Sequence, residues 1–396
     1  MRFFHSLLCC CCLALLLPTA CCGQQRRPAA QVTPPAPLRC GAERTKAYFP
    51  LLEGKHFALV VNHSSTIGRQ SLVDSLCAAG LRPDFIFAPE HGFRGNHDAG
   101  AGIQDSRDAV TGLYIVSLYG KNKKPEPAQM QGLDYVVFDL QDVGCRFYTY
   151  LSTLHYVMEA CAENGVKLLV LDRPNPNDYI DGPVLESDCR SFVGLHPIPL
   201  LHGCTLGELA RMINGEGWIT DSCHLQVISV ENWQHGQPYS LPVRPSPNLP
   251  NDDAIRLYPS LCLFEGSIVS VGRGTDWPFQ VLGCPDSLYG QFSFKPESRP
   301  GAAIHPPYQD RICYGLDLRN DSLTQGFTLR YLQYFLERCP EREAFFSQPR
   351  FFDLLAGNKK LRQQLTQGLS EAEIRSTWAE GLAAYKEKRS HYLLYP

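Results

Sequence analysis

Acidic side chains that directly follow apolar segments are the residues of this chain best placed to do chemistry. Glu90 comes two residues after the apolar segment 84–88, and Asp142 comes two residues after the segment 135–140. Two opposed carboxyl groups, one protonated and one ionised, are the usual equipment for hydrolysing a glycosidic bond. A glutamate kept partly out of water can stay protonated near neutral pH, so Glu90 is the first candidate for the general acid, with a structural cap as its alternative role. Asp142 and Glu186 are the candidates for the second carboxylate.

Further polar side chains lie after the predicted strands or in loops rich in proline and glycine. An arginine in such a loop suits bidentate binding of a substrate carboxylate, and its alternative is an ion pair with a neighbouring aspartate. A tyrosine there could stack on a sugar or belong to the core. The candidate substrate-binding residues are Asn62, His91, Arg146, Tyr148, Asp172, Arg173, Asn175, Asn248, Glu265 and Arg273.

No pattern in the sequence calls for a metal or a cofactor. The histidines His63, His91 and His202 lack the close spacing of a zinc-binding helix, and no glycine-rich nucleotide loop follows a predicted strand. A Gly-x-Ser-x-Gly elbow is absent too, which disfavours a serine hydrolase. We therefore predict no metal and no cofactor, and rank an amidase or esterase below a glycosidase.

Short apolar segments alternate with helical patterns through the first part of the chain. Uninterrupted apolar segments of this length are typical of strands covered on both faces. They are 57–61, 84–88, 114–118, 135–140, 167–171 and 226–230. This alternation predicts an α/β fold with a Rossmann-like, mainly parallel, doubly wound sheet. Parallel strands end at the same edge, so the polar residues that follow them should converge on one crevice.

The second part of the chain has a different composition. Residues 240–310 carry many prolines and glycines, and helical patterns return at 328–338 and 370–388. Since the chain is too long for one ordinary core, we predict a Rossmann-like domain at 43–245 and a smaller α+β C-terminal domain at 246–396. The cleft between them is the expected place for the site.

The N-terminal residues resemble an export signal. We predict a signal peptide at 1–22, similar to a bacterial lipoprotein signal, and a linker at 23–42. The protein should then be exported to the periplasm or cell surface, touching a membrane only through an N-terminal lipid anchor. With a net charge of −3 and no basic stripe, nucleic acid is excluded as a partner. Cys40 is the best candidate for a disulfide.

Several stretches of unusual composition carry a resemblance to a known family. They are 87–95, 117–120, 137–150, 171–177, 182–186, 245–250, 265–266, 272–275 and 392–395. Together they resemble the exo-β-N-acetylmuramidase (NamZ) family, glycoside hydrolase family 171, formerly a domain of unknown function. The resemblance implies a Rossmann-like domain joined to a smaller one, with Pro89 to Gly92 matching the family's Pro-Glu-His-Gly motif and supporting Glu90. The turn at 63–65 departs from the family's pattern, which bears on substrate preference.

The resemblance and the residues lead to one function and one rival. The chain should release non-reducing-end, β-linked N-acetylmuramic acid from a peptidoglycan-derived disaccharide or muropeptide, with Glu90 protonating the leaving oxygen. The second carboxylate would attack the anomeric carbon, stabilise its charge or orient the substrate's acetamido group. A loop arginine would bind the lactyl carboxylate of the sugar. The rival is a non-catalytic cell-wall sugar-binding lipoprotein, which would not need Glu90.

Overall fold

The structure, a computed structural model, describes residues 36–90, 92–94, 106–322 and 326–396. The predicted signal peptide, the linker up to residue 35 and His91 lie outside the described residues. Pro37–Pro396 clusters as one unit. The domain boundary near residue 245 stays a prediction.

Strands and helices alternate along the first half, as expected. The strands are β1 (Phe57–Val61), β2 (Thr66–Ile67), β3 (Gln70–Ser71), β4 (Phe85–Ala88), β5 (Ser106–Arg107), β6 (Tyr114–Ser117), β7 (Tyr135–Asp139), β8 (Lys167–Leu171), β9 (Ile180–Val184), β10 (Pro199–His202), β11 (Leu225–Ile228), β12 (Val281–Cys284), β13 (Phe292–Phe294) and β14 (Cys313–Asp317). The helices are α1 (Thr45–Leu52), α2 (Leu72–Ala78), α3 (Pro127–Met130), α4 (Tyr150–Asn164), α5 (Leu206–Gly215), α6 (Asp252–Leu261), α7 (Arg330–Arg338), α8 (Pro349–Ala356), α9 (Lys360–Gln367), α10 (Glu371–Ser376) and α11 (Ala379–Ser390).

Within the described residues, the main sheet has seven strands in the order β11-β8-β7-β1-β4-β6-β5. All neighbours pair in parallel except β5, which runs antiparallel to β6 at the edge. From β1 the chain builds outward through β4 and β6, then returns to the other side of β1 with β7. Ligands bind at such a switch point, beyond the carboxyl ends of the strands. The predicted Rossmann-like α/β fold is confirmed.

The strands are apolar throughout because both faces of the sheet are covered. Alternate strand residues point to opposite faces. Val60 and Phe138 join a core with α4 and α5, whereas Leu59 and Val137 join a second core with α1 and α2. The sheet is therefore held rigid between two layers of helices, and its carboxyl edge is a fixed platform.

The C-terminal half is the predicted mixture of helices and a small antiparallel sheet, β12-β14-β13. Its core is continuous with the α4 side of the main sheet. Leu154 of α4, Leu257 of α6 and Phe335 of α7 belong to one buried cluster. The two halves consequently share a hydrophobic core.

The last residues of the chain pack back onto the main sheet. The Tyr395 hydroxyl donates to Asp172 Oδ2 at 2.5 Å, and the Leu394 amide donates to Glu208 Oε1 at 2.9 Å. The amide of His235 donates to the Pro396 carbonyl at 3.0 Å. We call residues 392–396 the C-terminal clasp. It fixes the end of β8 and the start of α5 against the end of the chain.

Two local expectations were wrong or incomplete. The predicted helix 370–388 is split into α10 and α11, although its Ser370–Glu373 capping box is confirmed. The break falls at Thr377, whose hydroxyl bonds back to the Ile374 carbonyl, and at Trp378, whose side chain is buried in the core. No disulfide forms among the described cysteines, and the Cys40 Sγ lies 3.6 Å from the Tyr239 hydroxyl. Among those residues, no helix combines the length and apolarity needed to cross a membrane.

Candidate active site

Two adjoining cavities open at the carboxyl edge of the sheet. The larger has a volume of about 840 Å³ and is lined mostly by the C-terminal half. The smaller, about 60 Å³, lies between the start of α4 and the loop that follows residue 245. Glu90 and Arg273 line both cavities. The cavities therefore meet at a carboxyl group and a guanidinium group.

Glu90 is held by hydroxyl groups from two neighbouring elements. It follows β4 after Pro89, in a turn closed by the Gly92 amide donating to the Pro89 carbonyl at 3.0 Å. Thr149, the residue before α4, donates its hydroxyl to Glu90 Oε2 at 2.7 Å. Burial raises the pKa of the Tyr119 hydroxyl, and the neighbouring Glu90 carboxyl adds to the shift. Glu90 is thus fixed in orientation at the mouth of the larger cavity.

Arg273 is anchored by Glu265 and an aromatic ring. Its Nε donates to Glu265 Oε1 at 2.6 Å, and its guanidinium lies 5.0 Å from the centre of the Phe279 ring. Burial lowers the pKa of Arg273, but the Glu265 carboxylate more than offsets this and the net shift is upward. Neither Nη group donates to a described residue. Arg273 therefore stays charged and keeps two donor groups for a ligand.

The backbone around Arg273 is shaped for this role. Gly272 and Gly274 have φ angles of +79° and +82°. A Cβ at Gly272 would lie 2.6 Å from the Val281 side chain, so only glycine fits there. Phe279 also has a positive φ of 56°, which is unfavourable for a non-glycine residue and is maintained by its hydrogen bond to the Val271 carbonyl. Strain of this kind is common at binding sites.

Tyr148 and Asn248 line the smaller cavity. The Tyr148 hydroxyl donates to the Pro245 carbonyl at 3.0 Å, and the Asn248 side chain donates to the Ala302 carbonyl at 2.9 Å. Both side chains are largely buried. They tie the loop 245–250 to α4 on one side and to the wall of the larger cavity on the other.

Asp142 lies behind the cavities. It is 6% exposed and lines neither of them. Its Oδ1 accepts from the Gly144 amide at 2.6 Å, while Oδ2 is buried without a hydrogen-bond partner among the described residues. Burial raises the pKa of Tyr150, and the Glu90 and Asp142 charges both add to it. Tyr150 therefore lies close to both carboxylates.

Glu186 is not brought to the cavities. Its side chain is exposed at the end of β9, and its amide donates to the Gly357 carbonyl at 2.8 Å. Glu186 lines neither of the two cavities at which Glu90 lies.

Arg146 serves the fold. It is 1% exposed, and its two Nη groups donate to four main-chain carbonyls, those of Pro183, Ile198, Leu355 and Ala356, at 2.7–3.1 Å. Burial without a carboxylate partner lowers the pKa of Arg146 to about 9. All its Nη donors point to protein, so the structure leaves none for substrate.

Arg173 and Asn62 also make internal contacts. Arg173 forms a bidentate pair with Asp139 at 2.5 and 2.9 Å, as its alternative reading anticipated. That carboxylate keeps the pKa of Arg173 above its ordinary value despite burial. Asn62 donates to the Tyr150 hydroxyl at 2.7 Å and accepts from the Ser64 amide. Neither lines either of the two cavities described above, though Asn62 positions a tyrosine that neighbours Glu90.

Asp172 and Asn175 connect the strand end to the helix α5. Asp172 accepts from the Thr205 hydroxyl at 2.6 Å and from the Gly207 amide at 2.8 Å. Burial raises the pKa of Asp172 to about 6, although the hydrogen bonds from Thr205 and Tyr395 oppose the shift. Asn175 donates to the Cys204 carbonyl at 3.0 Å. Both are 2% exposed or less.

The structure thus unites Glu90, Tyr148, Asn248, Glu265 and Arg273 from the predicted set. Sequence reasoning missed Thr149 and Tyr119, the hydroxyl partners of Glu90. Both lie in stretches that carry the family resemblance. Their positions, just after a predicted strand and just before a helix, were the signal in the sequence that could have identified them. Their pairing with Glu90 depends on the parallel order of β4, β6 and β7, which no short motif encodes.

Comparisons with known proteins agree with this architecture. The family model described as exo-β-N-acetylmuramidase NamZ, N-terminal, matches residues 57–253, and its C-terminal counterpart matches 256–395. The chain is 37% identical over 374 residues to the peptidoglycan β-N-acetylmuramidase NamZ of Bacillus subtilis (strain 168), covering 88% of this chain and 89% of that protein.

Two crystal structures of DUF1343 family proteins from Bacteroides fragilis NCTC 9343 are similar as well. One is 44% identical with a TM-score of 0.84, and the other is 29% identical with a TM-score of 0.78. Each comparison covers 91% of this chain and 99% of the other. The paired family models and the identity across most of the length show that this chain belongs to the exo-β-N-acetylmuramidase NamZ family.

Proposed function

We propose that this protein is an exo-acting glycosidase that releases β-linked N-acetylmuramic acid from the non-reducing end of peptidoglycan fragments. The observation that carries the proposal is the meeting of Glu90 and Arg273 at the junction of the two cavities. The relative from Bacillus subtilis supports it through its name, peptidoglycan β-N-acetylmuramidase. A glycosidase of this kind needs an acid at the scissile oxygen and a pocket for one terminal sugar.

Glu90 is the general acid in this mechanism. Its carboxyl is oriented by Thr149 and Tyr119 and faces the mouth of the larger cavity, where the glycosidic oxygen would lie. Protonation of that oxygen lets the leaving sugar depart as an alcohol. Proton transfer by a positioned carboxyl group is worth about 10²–10⁴-fold in rate.

Arg273 is the residue for the lactyl carboxylate. Of the three predicted arginines, Arg146 donates to carbonyls and Arg173 to Asp139, whereas Arg273 lines the cavity with both Nη groups available. A planar guanidinium binds a carboxylate through two parallel hydrogen bonds. N-acetylglucosamine lacks the lactyl group, so this contact would separate the two sugars.

Glu265 is the second carboxylate that lines the larger cavity. It is better placed than Asp142, which lies behind Tyr148 and Tyr150, and than Glu186, which lies outside. It would stabilise positive charge at the anomeric carbon directly or through the orientation of the substrate. Which of these applies depends on the carboxyl separation when substrate is bound.

A pair of chromogenic substrates tests the proposal. The protein should release the aryl group from a β-N-acetylmuramide and leave the matching β-N-acetylglucosaminide intact. Glu90→Gln should lower turnover of the natural disaccharide by about 10²–10⁴-fold. It should affect a nitrophenyl muramide much less, because a nitrophenolate departs without protonation. Glu186→Gln, the matched control, should keep full activity on both.

Two outcomes would contradict the proposal. Release from neither substrate nor the disaccharide would favour the sugar-binding rival. Full disaccharide turnover by Glu90→Gln would move the acid role to another residue.

We also propose that the chain is exported. The support is the leader-like composition of residues 1–22 and the peptidoglycan-directed name of the relative. Mass spectrometry of the mature protein should show loss of this segment. A lipid adduct on Cys21 or Cys22 would indicate an anchor, and an intact Met1 would count against export.

A further inference from the structure

A charged aromatic surface lies beside Glu90, outside both cavities. Tyr119 follows β6, which pairs with β4 next to Glu90, and its ring lies 6.2 Å from that of Phe192, which stacks on Tyr156 of α4 at 6.3 Å and 13°. All three rings are half-buried. The Lys123 ammonium lies 4.5 Å from the centre of the Phe192 ring. We call Tyr119, Lys123, Tyr156 and Phe192 the Phe192 ridge.

Within the residues that the structure describes, the charge of Lys123 on this ridge is not paired with a carboxylate. Lys124, the neighbour of Lys123, pairs with Glu159 and Glu163 at 3.4 and 2.7 Å. In the described part of the chain, Lys123 has no carboxylate within ion-pair distance, and the same holds for the exposed Lys121 and Arg190. The Lys123 ammonium thus lies over a half-buried ring, next to the tyrosine that follows β6.

We infer that the Phe192 ridge binds the leaving-group part of the substrate: the sugar beyond the scissile bond and the carboxylates of a stem peptide on the muramic acid that follows. This rests on the proposed function. The larger cavity lies on the C-terminal side of Glu90 and holds the sugar that is released. Tyr119 follows β6, the strand that pairs with β4 next to Glu90, and leads to Phe192 outside the cavities, so the ridge offers the rest of the fragment a surface adjoining the acid.

The chemistry of the ridge fits that ligand. Rings already packed against one another lose little freedom on binding and offer apolar surface to the C–H groups of a sugar. The Lys123 ammonium would attract a peptide carboxylate, and a solvent-exposed pair of this kind weakens as salt screens it. Fragments with an acidic stem peptide should therefore bind better than fragments without one.

Binding experiments test the ridge without relying on catalysis. The probes are N-acetylglucosaminyl-β-1,4-N-acetylmuramic acid with and without a tripeptide stem, titrated calorimetrically into the mature protein. Lys123→Gln should weaken the peptide-bearing probe about fivefold, because an exposed ion pair contributes up to about 1 kcal/mol, and should weaken the peptide-free probe, whose lactyl group supplies a single carboxylate, by less. Phe192→Ala should weaken both about tenfold, the value of one aromatic contact. Lys46→Gln, an exposed lysine on α1, should change neither.

Kinetics supply the second reading. Lys123→Gln and Phe192→Ala should keep the wild-type kcat/KM on an aryl muramide, which has no second sugar. On a peptide-bearing tetrasaccharide, the kcat/KM of both variants should fall below that of the wild type. Phe192→Leu retains apolar volume if the alanine variant unfolds. Equal probe affinities for wild type and variants would overturn the inference. So would equal losses on the aryl muramide and the tetrasaccharide, which would mean that the ridge acts through Glu90. A wild type without turnover would refute the proposed function, while the titrations would still decide the ridge.

Discussion

Three arginines with similar sequence surroundings have three different roles. Arg146 donates to main-chain carbonyls, Arg173 pairs with Asp139, and Arg273 holds one glutamate while keeping two donor groups. An aspartate partner for an arginine could be anticipated from sequence, because acidic residues are nearby. The carbonyl acceptors of Arg146 could not, since two of them lie more than 200 positions later. Local composition does not reveal such partners.

Thr149 should act as a positioning residue for Glu90. Thr149→Val keeps the shape of the side chain and removes its hydrogen bond, so kcat on the disaccharide should fall up to about tenfold, as expected for the loss of one hydrogen bond to the catalytic carboxyl. Thr149→Ser should restore most of the activity. Steady-state kinetics and a thermal melt check this. An unchanged kcat in the valine variant would mean that Tyr119 alone orients the carboxyl.

Arg273 should determine the preference for the lactyl sugar. In Arg273→Lys the charge remains but the two parallel hydrogen bonds are lost, so the preference for the muramide over the glucosaminide should shrink about tenfold or more. Comparing kcat/KM on the two aryl glycosides measures it. Arg319→Lys, at an exposed pair with Asp317, is the control. A preference as strong as that of the wild type would exclude Arg273 as the lactyl ligand.

At the scale of elements, helix α8 links the fold to the cavity. The carbonyls of Leu355 and Ala356 at its C-terminal end accept from Arg146. Phe351, nearer its start, lines the larger cavity with Gln348, the residue before the helix. Arg146 lies in the segment between strand β7 of the main sheet and helix α4, so it fixes α8 against the main sheet.

Loss of this contact should destabilise the whole protein. Arg146→Met removes the guanidinium donor from four buried carbonyls, of which that of Ile198 keeps a second donor, the Leu185 amide, so the free energy of unfolding should fall by about 3 kcal/mol or more. Urea denaturation measures it. Arg146→Lys, with fewer donors, should lie between the methionine variant and wild type. If Arg146→Met is as stable as the wild type, the carbonyls must find other donors.

The main strands were predictable because their residues are apolar on both faces. Each predicted strand of the main sheet matches an observed one within two residues, from Phe57–Val61 to Leu225–Ile228. The helix at 370–388 was only partly predictable. Its capping box is a local signal, whereas the break at Trp378 follows from burial of the indole in a core built by distant segments. Tertiary packing, which intrinsic helix propensity does not include, therefore divides this predicted helix into α10 and α11.

For the whole molecule, the pH dependence of stability should reflect His235. Burial lowers the pKa of His235, but hydrogen bonds to Asp178 and Glu208 raise it to about 9, with Arg389 also against the ring. The pKa of a histidine in the unfolded chain is about 6.5. Because the pKa of His235 is higher in the folded protein, its protonated form contributes fully to the free energy of unfolding below pH 6.5. This contribution is lost as the pH rises through 9. Its size is on the order of 1–2 kcal/mol after allowance for solvent screening.

Thermal or urea unfolding between pH 6 and 10 checks this. The wild type should lose stability across the window, and His235→Gln should show a flatter profile, since glutamine does not titrate. Parallel profiles would show that His235 is not charged in the folded protein.

The C-terminal clasp has a consequence for the order in which the protein is made. Asp172 accepts a hydrogen bond from Tyr395, which is synthesised 223 residues later. A nascent chain that has released β8 and α5 from the ribosome can already bond Asp172 to Thr205 and Gly207, but it lacks the Tyr395 hydroxyl and the residues that cover the start of α5. The junction between β8 and α5 should therefore gain its last hydrogen bonds only after the clasp has been translated. Completion of this part of the fold is consequently a post-translational step, even though every strand of the main sheet is made much earlier.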